Sequence, residues 1–237
     1  MEVQIAVSKV PKFGIRESGD TVEVIERPQG GISVVLSDGQ TSGRGAKSVS
    51  NLVVRKVISL LAEGVRDGAA ARAASDYLYT HREGKVSATL NICSVDLVTK
   101  TLVITRNNPA PVILYDNQQI RIFDEESKPV GIYRDTRPVI VEVGLAVGLC
   151  AIVFSDGLIH AGSRTGNLIN LISLFNQYGY NPEEPPHLIA DNLLQRAIQQ
   201  DEGRPCDDIS IVVIKVLPHQ GDQTRRMLVR LPLNNGG

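Results

Sequence analysis

Tryptophan is absent from the 237-residue chain, and aromatic residues make up only 4% of it. A stacking platform for single-stranded nucleic acid needs several exposed rings, so that class of partner is disfavoured. An excess of either charge is missing too. The 25 basic and 26 acidic residues leave a net charge of −1, which gives no overall footprint for nucleic acid or an anionic membrane. Only three cysteines occur, Cys93, Cys150 and Cys206. They are far apart and show no C-x-x-C spacing, which argues against a zinc site or a dithiol redox centre. They read as reduced thiols in a cytosolic protein. No apolar run is long enough to span a bilayer. The longest, at 143–154, is interrupted by Gly144 and Gly148. The opening MEVQIAVSKVPKFG alternates like a strand and lacks the apolar centre of a signal peptide. The expected location is cytoplasmic, with neither membrane nor nucleic acid as a partner.

The residues that are present describe an ordinary globular protein, 42% hydrophobic and 22% charged, with a core of Val, Ile, Leu and Ala. Period-two alternation predicts strands at 2–7, 21–26 and 32–36, the last two joined as a hairpin through Pro28, Gly30 and Gly31. Val49, Leu52, Val53, Val57, Leu60 and Leu61 recur at helical spacing up to Gly64. A second helix is expected from Asp67, as N-cap, to Gly84, antiparallel to the first. SATLNICSVDL, TLVITRNN, PVILYD and QIRIFD then read as one antiparallel meander, with turns at 99–100, 107–109 and 116–117. Strands at 138–143 and 150–154, helices at 166–178 and 186–200, and the β-branched run ISIVVIKV complete the pattern. The class is α+β: antiparallel sheets covered by paired helices. A single domain is expected over 1–217, followed by a polar tail, 218–237, with a short strand at 227–231.

Acidic residues stand at the ends of these strands with unusual regularity. Asp20 lies in Ser-Gly-Asp before a strand. Asp38 and Asp156 each lie in Ser-Asp-Gly after one, and Asp207 and Asp208 precede the last. A single Asp-Gly pair is ordinarily a turn, and Asp is a good cap. Several carboxylates converging at neighbouring strand ends would repel one another unless a cation neutralised them. Oxygen-only donors suit Mg²⁺ or Mn²⁺. Gly39 and Gly157 would let the backbone come close, and a carbonyl could serve as a ligand.

SGD at 18–20, VVLSDGQTSG at 34–43, VFSDGLI at 153–159 and DDISIVV at 207–213 resemble, in order and spacing, the motifs of the PPM family. These are metal-dependent, type 2C Ser/Thr protein phosphatases. SATLNICSVDL at 87–97 and KPVGI at 128–132 resemble the bacterial SpoIIE/RsbU branch, and the likeness covers about residues 15–216. The resemblance implies a β-sandwich flanked by helical pairs, with two Mn²⁺ or Mg²⁺ ions at one end. Asp38 would bridge the ions. Asp20 and the Gly39 carbonyl would hold one, and Asp156 and Asp207 the other. Asp38, Asp156 and Asp207 would thereby be the catalytic set. Water activated between the ions would attack phosphoserine or phosphothreonine without a phosphoenzyme. Gln40 stands where several members carry a proton-donating His, and the nearest candidates for a phosphate-binding arginine are Arg16 and Arg44. So short a chain, with no sensor segment before the motifs, most resembles the RsbX-type phosphatases of stressosome signalling. The implied substrate is a phosphorylated STAS-domain protein.

Two other functions fit the same residues: a catalytically weak phosphatase fold that acts as a binding module, and a phosphatase of a small phosphate ester. Segment 40–47, glycine-containing and joined to the first helix, is expected to be a control point of activity. The weaker motifs have plain readings. GRGAKS at 43–48 lacks the Gly-Lys-Ser/Thr of a P-loop and reads as a helix start. His160 reads as a helix-start residue, Cys206 as a structural thiol, and Arg225, Arg226 and Arg230 as a solvated face.

Overall fold

A computed structural model describes residues 1–116, 119–178, 183–219 and 221–232. Residue 117 of the expected turn, and residues 220 and 233–237 of the tail, lie outside the described residues. Two five-stranded antiparallel sheets form the centre. The first contains β2 (Asp20–Glu26), β3 (Ile32–Gly39), β4 (Ala88–Asp96), β5 (Thr101–Asn107) and β8 (Val139–Gly144), in that order across the sheet. The second runs β1 (Glu2–Val10), β10 (Ile209–Leu217), β9 (Cys150–Phe154), β6 (Val112–Asp116), β7 (Gln119–Phe123). Helices α1 (Gly43–Ala62) and α2 (Asp67–Arg82) cover the first sheet. Helices α3 (Gly157–His160), α4 (Leu171–Tyr178) and α5 (Pro186–Gln200) lie with the second.

The layering follows from where the apolar residues go. Between the sheets, Val34, Leu36, Cys93 and Ile104 meet Leu114, Val153, Val212 and Ile214. On the outer face of the first sheet, Val35, Leu90 and Ile92 pack against Val53 and Val57 of α1 and the alanines of α2. On the other side Phe154, Ile211 and Val213 pack against Leu193 and Ala197 of α5. Central strands are thus covered on both faces, which is why ISIVVIKV shows no alternation: every residue of β10 is buried. Each such side chain contributes about 1.5–3 kcal/mol on burial.

Sequence and structure part at several places. The expected meander is two hairpins in different sheets. β4 pairs with β5 in the first, and β6 pairs with β7 in the second. The chain changes sheets at Asn107-Asn108-Pro109. Arg106, buried at 2% exposure, fixes that crossing by donating to the Asn108 carbonyl at 2.6 Å and to the Glu125 carbonyl. Asn107 Nδ2 donates to the Lys128 carbonyl at 3.0 Å, tying in the KPVGI segment. Asp67 is the first residue of α2, not its cap, and its carboxylate accepts from Arg27 at 2.9 Å. The helix expected from 166 starts at Leu171, where the Asn170 side chain accepts from the Ser173 N–H at 2.9 Å. His160 ends α3 instead of opening a helix. Residues 227–231 form no strand; Met227, Leu228, Val229 and Leu231 are exposed. Among the described residues no helix is long and apolar enough to cross a membrane.

Candidate metal centre

The two sheets end together where the acidic motifs lie. Strands β2 and β3 pair with Asp20 directly opposite Asp38, so the two carboxylates share one face. Both residues lie inside their strands, not beyond the ends as the sequence suggested. In the second sheet β9 stops at Phe154, and β10 pairs with it through Ile211. That pairing brings Asp156, at the start of α3, beside the Asp207-Asp208 approach to β10. Ser155 stitches the junction. Its N–H donates to the Ser210 carbonyl at 3.0 Å, and its hydroxyl accepts from the Ser210 N–H at 2.9 Å.

Asp38 feels all the others. Burial first, then the charges of Asp20, Asp156 and Asp207, push its carboxyl up to about 10. Asp20 has no exposed surface, and burial raises it, although Ser210, Ser155 and Lys9 partly offset this. Neither serine hydroxyl makes a well-formed bond to it: both Asp20 Oδ atoms and the Ser210 hydroxyl are buried without partners, as is one oxygen of Asp156. Burial raises Asp207 as well, against the hydrogen bond from the Asp208 N–H.

Asp208 points elsewhere. It is buried, and its two oxygens accept from the Lys12 N–H at 3.0 Å and the Gly19 N–H at 2.9 Å. It therefore fastens the loop that leads into Asp20. The glycines of the two Asp-Gly pairs have a packing reason beyond any ligand. A Cβ on Gly39 would stand 2.1 Å from the Ala46 carbonyl oxygen, and one on Gly157 2.1 Å from that of Asp208.

Two cations near the site carry no sequence signal. Lys9 of β1 and Lys47 of α1 both donate to the Asp20 carbonyl, at 2.6 and 2.7 Å. Lys47 also reaches the Thr21 hydroxyl at 3.0 Å. Much of Lys9 faces solvent, but burial of its ammonium end and the Lys47 charge lower its pKa. They come from distant segments, and Lys47 sits in the stretch that imitates a P-loop, so spacing could not reveal them. Gln40 is engaged with Ser87, whose N–H donates to its side-chain oxygen at 3.0 Å. Arg16 and His160 are exposed. Cys206 donates through its thiol to Asp201 at 3.1 Å, a structural contact.

The donors suit a hard cation: carboxylate oxygens, three of them buried and unpartnered, with no sulfur or imidazole. As they stand they are not closed into a cage. Among the described residues no three acidic, His or Cys side chains are gathered tightly enough to hold an ion.

The family model for Stage II sporulation protein E, SpoIIE, matches residues 28–217. Stage II sporulation protein E of Bacillus subtilis (strain 168) is 22% identical over 214 residues, which is 90% of this chain and 26% of that protein. The Priestia megaterium protein of the same name is also 22% identical over 214 residues, 36% of its length. The chain thus spans about a quarter to a third of these curated relatives. Among solved structures, the PP2C phosphatase domain with a regulatory fragment of SpoIIE from Bacillus subtilis superposes with a TM-score of 0.79 at 21% identity. It covers 93% of this chain and 64% of that one. RsbX in complex with magnesium gives 0.67 at 14% identity, covering 90% and 94%. The catalytic domain of the serine/threonine phosphatase PstP with two manganese ions also gives 0.67 at 14%, covering 91% and 99%.

Proposed function

The chain belongs to the SpoIIE family and carries the PP2C phosphatase fold, and from that premise we propose that it is a Mn²⁺- or Mg²⁺-dependent phosphatase of protein phosphoserine and phosphothreonine. Residues 1–217 form the phosphatase domain and 218–237 a tail. Asp38 would be the ligand shared by two ions, with Asp20 and the Gly39 carbonyl holding one, and Asp156 and Asp207 the other. The observation that carries this reading is the charge of Asp20, Asp156 and Asp207 bearing on a half-buried Asp38, with both Asp20 oxygens buried and unpartnered. When bound, two such ions make water nucleophilic near neutral pH and neutralise the phosphate oxygens. The chain's own residues keep the carboxylates poised: Lys9 and Lys47 hold the Asp20 carbonyl, and Asp208 holds the loop before it. The isolated chain should have a low basal activity and weak metal affinity.

The substrate we favour is a phosphorylated STAS-domain protein of a cytoplasmic stress-signalling pathway. Support comes from the fold shared with RsbX and with a protein of the bacterial stressosome. With Mn²⁺, an intact phosphorylated STAS domain should be hydrolysed with a kcat/KM about tenfold or more above that of an unfolded peptide around its phosphosite, because remote contacts lower the barrier. Equal values would remove the STAS-domain substrate. Faster hydrolysis of glucose 6-phosphate than of either would favour a small-ester phosphatase, and no hydrolysis at all a binding module.

Asp207 and Asp208 should separate cleanly. Asp207→Asn should weaken Mn²⁺ binding by calorimetry about tenfold and barely move Tm, since one ligand charge is gone. Asp208→Ala should lower Tm by several degrees, because two hydrogen bonds to a buried carboxylate are worth about 1.5–3 kcal/mol each. The reverse pattern would exchange their roles.

A further inference from the structure

Four basic residues of α1, between Arg44 and Lys56, line a trough that leads away from the candidate centre. Arg44, Lys47, Arg55 and Lys56 line this trough, of about 740 Å³, between α1, Tyr77 of α2 and Glu17. Arg44 and Arg55 share one side of the helix, and Lys47 and Lys56 flank it, Lys47 towards Asp20 and Lys56 towards Tyr77. Against four cations the trough offers one carboxylate, Glu17. Among the described residues none of the four is in an ion pair; the ion pairs lie elsewhere, such as Arg27 with Asp67. The Lys56 ammonium lies 5.4 Å from the centre of the Tyr77 ring, which holds it along the wall. In a chain of net charge −1 this is a local concentration of positive potential and not a property of the whole surface.

The trough starts at the site. Lys47 Nζ is 2.7 Å from the carbonyl of Asp20, whose side chain faces Asp38. From Lys47 to Ser59, which ends the lining, α1 rises about 18 Å, the length of about five residues of extended chain. Lys47 is occupied by its bonds to Asp20 and Thr21, so Arg44, Arg55 and Lys56 are the cations left for a ligand.

We propose that this trough binds an acidic segment of the phosphoprotein substrate, within about five residues of the phosphorylated side chain, and so selects substrates by the charge that flanks their phosphosite. The proposal rests on the phosphatase reading and specifies its substrate. A polypeptide is favoured over nucleic acid because Tyr77 is the single ring in the lining and lies under Lys56, leaving no platform for bases.

The test uses two fluorescein-labelled peptides of twelve residues with a central phosphoserine, one flanked by Asp and Glu, the other by Ser and Gly. Binding is read by anisotropy without metal, so that nothing is hydrolysed, and hydrolysis is then measured with Mn²⁺. The full chain is compared with Arg55→Glu/Lys56→Glu, which lies two turns or more from Lys47. The native chain should bind the acidic peptide about tenfold more tightly than the neutral one, with the advantage falling as salt rises. The double variant should lose that advantage in binding and in kcat/KM, while its turnover of p-nitrophenyl phosphate stays native. If the reversal disturbs folding, Arg55→Gln/Lys56→Gln should still reduce the preference about threefold. Equal binding of the two peptides by the native chain, or a preference that survives both variants, would overturn the trough while leaving the phosphatase reading intact. Binding of a thymidine oligonucleotide more tightly than the acidic peptide, lost in the double variant, would overturn it in favour of nucleic acid. Acidic preference in binding without hydrolysis of any ester would support the trough and refute the phosphatase reading.

Discussion

Asp38→Asn is expected to reduce turnover by several orders of magnitude and, in the absence of metal, to make the protein more heat-stable at pH 8. The two effects have opposite signs for one reason. Asp38 is enclosed with the charges of Asp20, Asp156 and Asp207, and its carboxyl is pushed up to about 10. Folding therefore favours its protonated form. The stability this group contributes is fully present below the ordinary carboxyl value of about 4, and is lost as pH rises towards 10. The metal-free native chain should thus lose stability steadily through this window. Asn cannot ionise, so the variant should lose less, and its Tm at pH 8 should exceed the native one by more than about 3 °C, the shift that about 1 kcal/mol produces in a domain of this size. Mn²⁺ should reverse the order, raising Tm strongly for the native chain and little for the variant, since ligand binding stabilises only a competent site. Thermal scans at pH 5 and pH 8, with and without Mn²⁺, check both halves. Native turnover with Mn²⁺ would remove Asp38 from the centre. A metal-free Tm unchanged at pH 8 would show that the carboxylates do not repel as their burial implies.

How much of this could be read from sequence depends on the range of the interaction. Strands and helices were legible because apolar period is local: β2, β3, β9, α5 and β10 fall within a few residues of where alternation and helical spacing put them. The acidic motifs were legible because each is contiguous and repeats a strand-end pattern. Sheet membership was not. The turn at 107–109 looks like any hairpin connection, and only the strand pairing, with Arg106 buried among the carbonyls of Asn108, Ala110 and Glu125, shows that the chain crosses there to the other sheet. The register that sets Asp20 opposite Asp38 is likewise a tertiary result, although the hairpin that allows it was readable. Lys9 and Lys47 carried no signal, since their shared target is a backbone carbonyl. The basic residues of α1 were present in the sequence, but their grouping along one trough needs Tyr77 from α2 and the position of Asp20 beside Lys47.

Helix α1 is where control of the centre should lie, and Gly39→Ala is the substitution expected to expose it. Segment 40–47 joins Asp38 to the first turn of α1, and that turn is seated on the strand end with no space to spare. A Cβ at residue 39 would come within 2.1 Å of the Ala46 carbonyl oxygen and 3.0 Å of the Ala46 Cα. Those atoms are backbone, so they yield only if the helix moves. The helix is also tied to the partner strand: Ser50 Oγ donates to the Gly19 carbonyl at 2.5 Å, and Lys47 reaches Asp20 and Thr21. Movement of α1 therefore displaces both Asp20 and Asp38. The loop between is already strained, since Thr41, a β-branched residue, has φ of 81°. Such a backbone costs about 1–3 kcal/mol and persists where the surroundings enforce it. Ala at 39 keeps the carbonyl, so any loss comes from displacement and not from a missing donor. The variant should bind Mn²⁺ at least about tenfold more weakly by calorimetry, and turn over a phosphopeptide about a hundredfold more slowly, as a misplacement of about 1 Å in a catalytic site does. Adding Ala46→Gly should restore neither, because the obstruction is the carbonyl of residue 46 and not its side chain. Native metal affinity and turnover in Gly39→Ala would make segment 40–47 a passive connection. Rescue by Ala46→Gly would show that side-chain crowding, and not the seat of the helix, sets the position of Asp38.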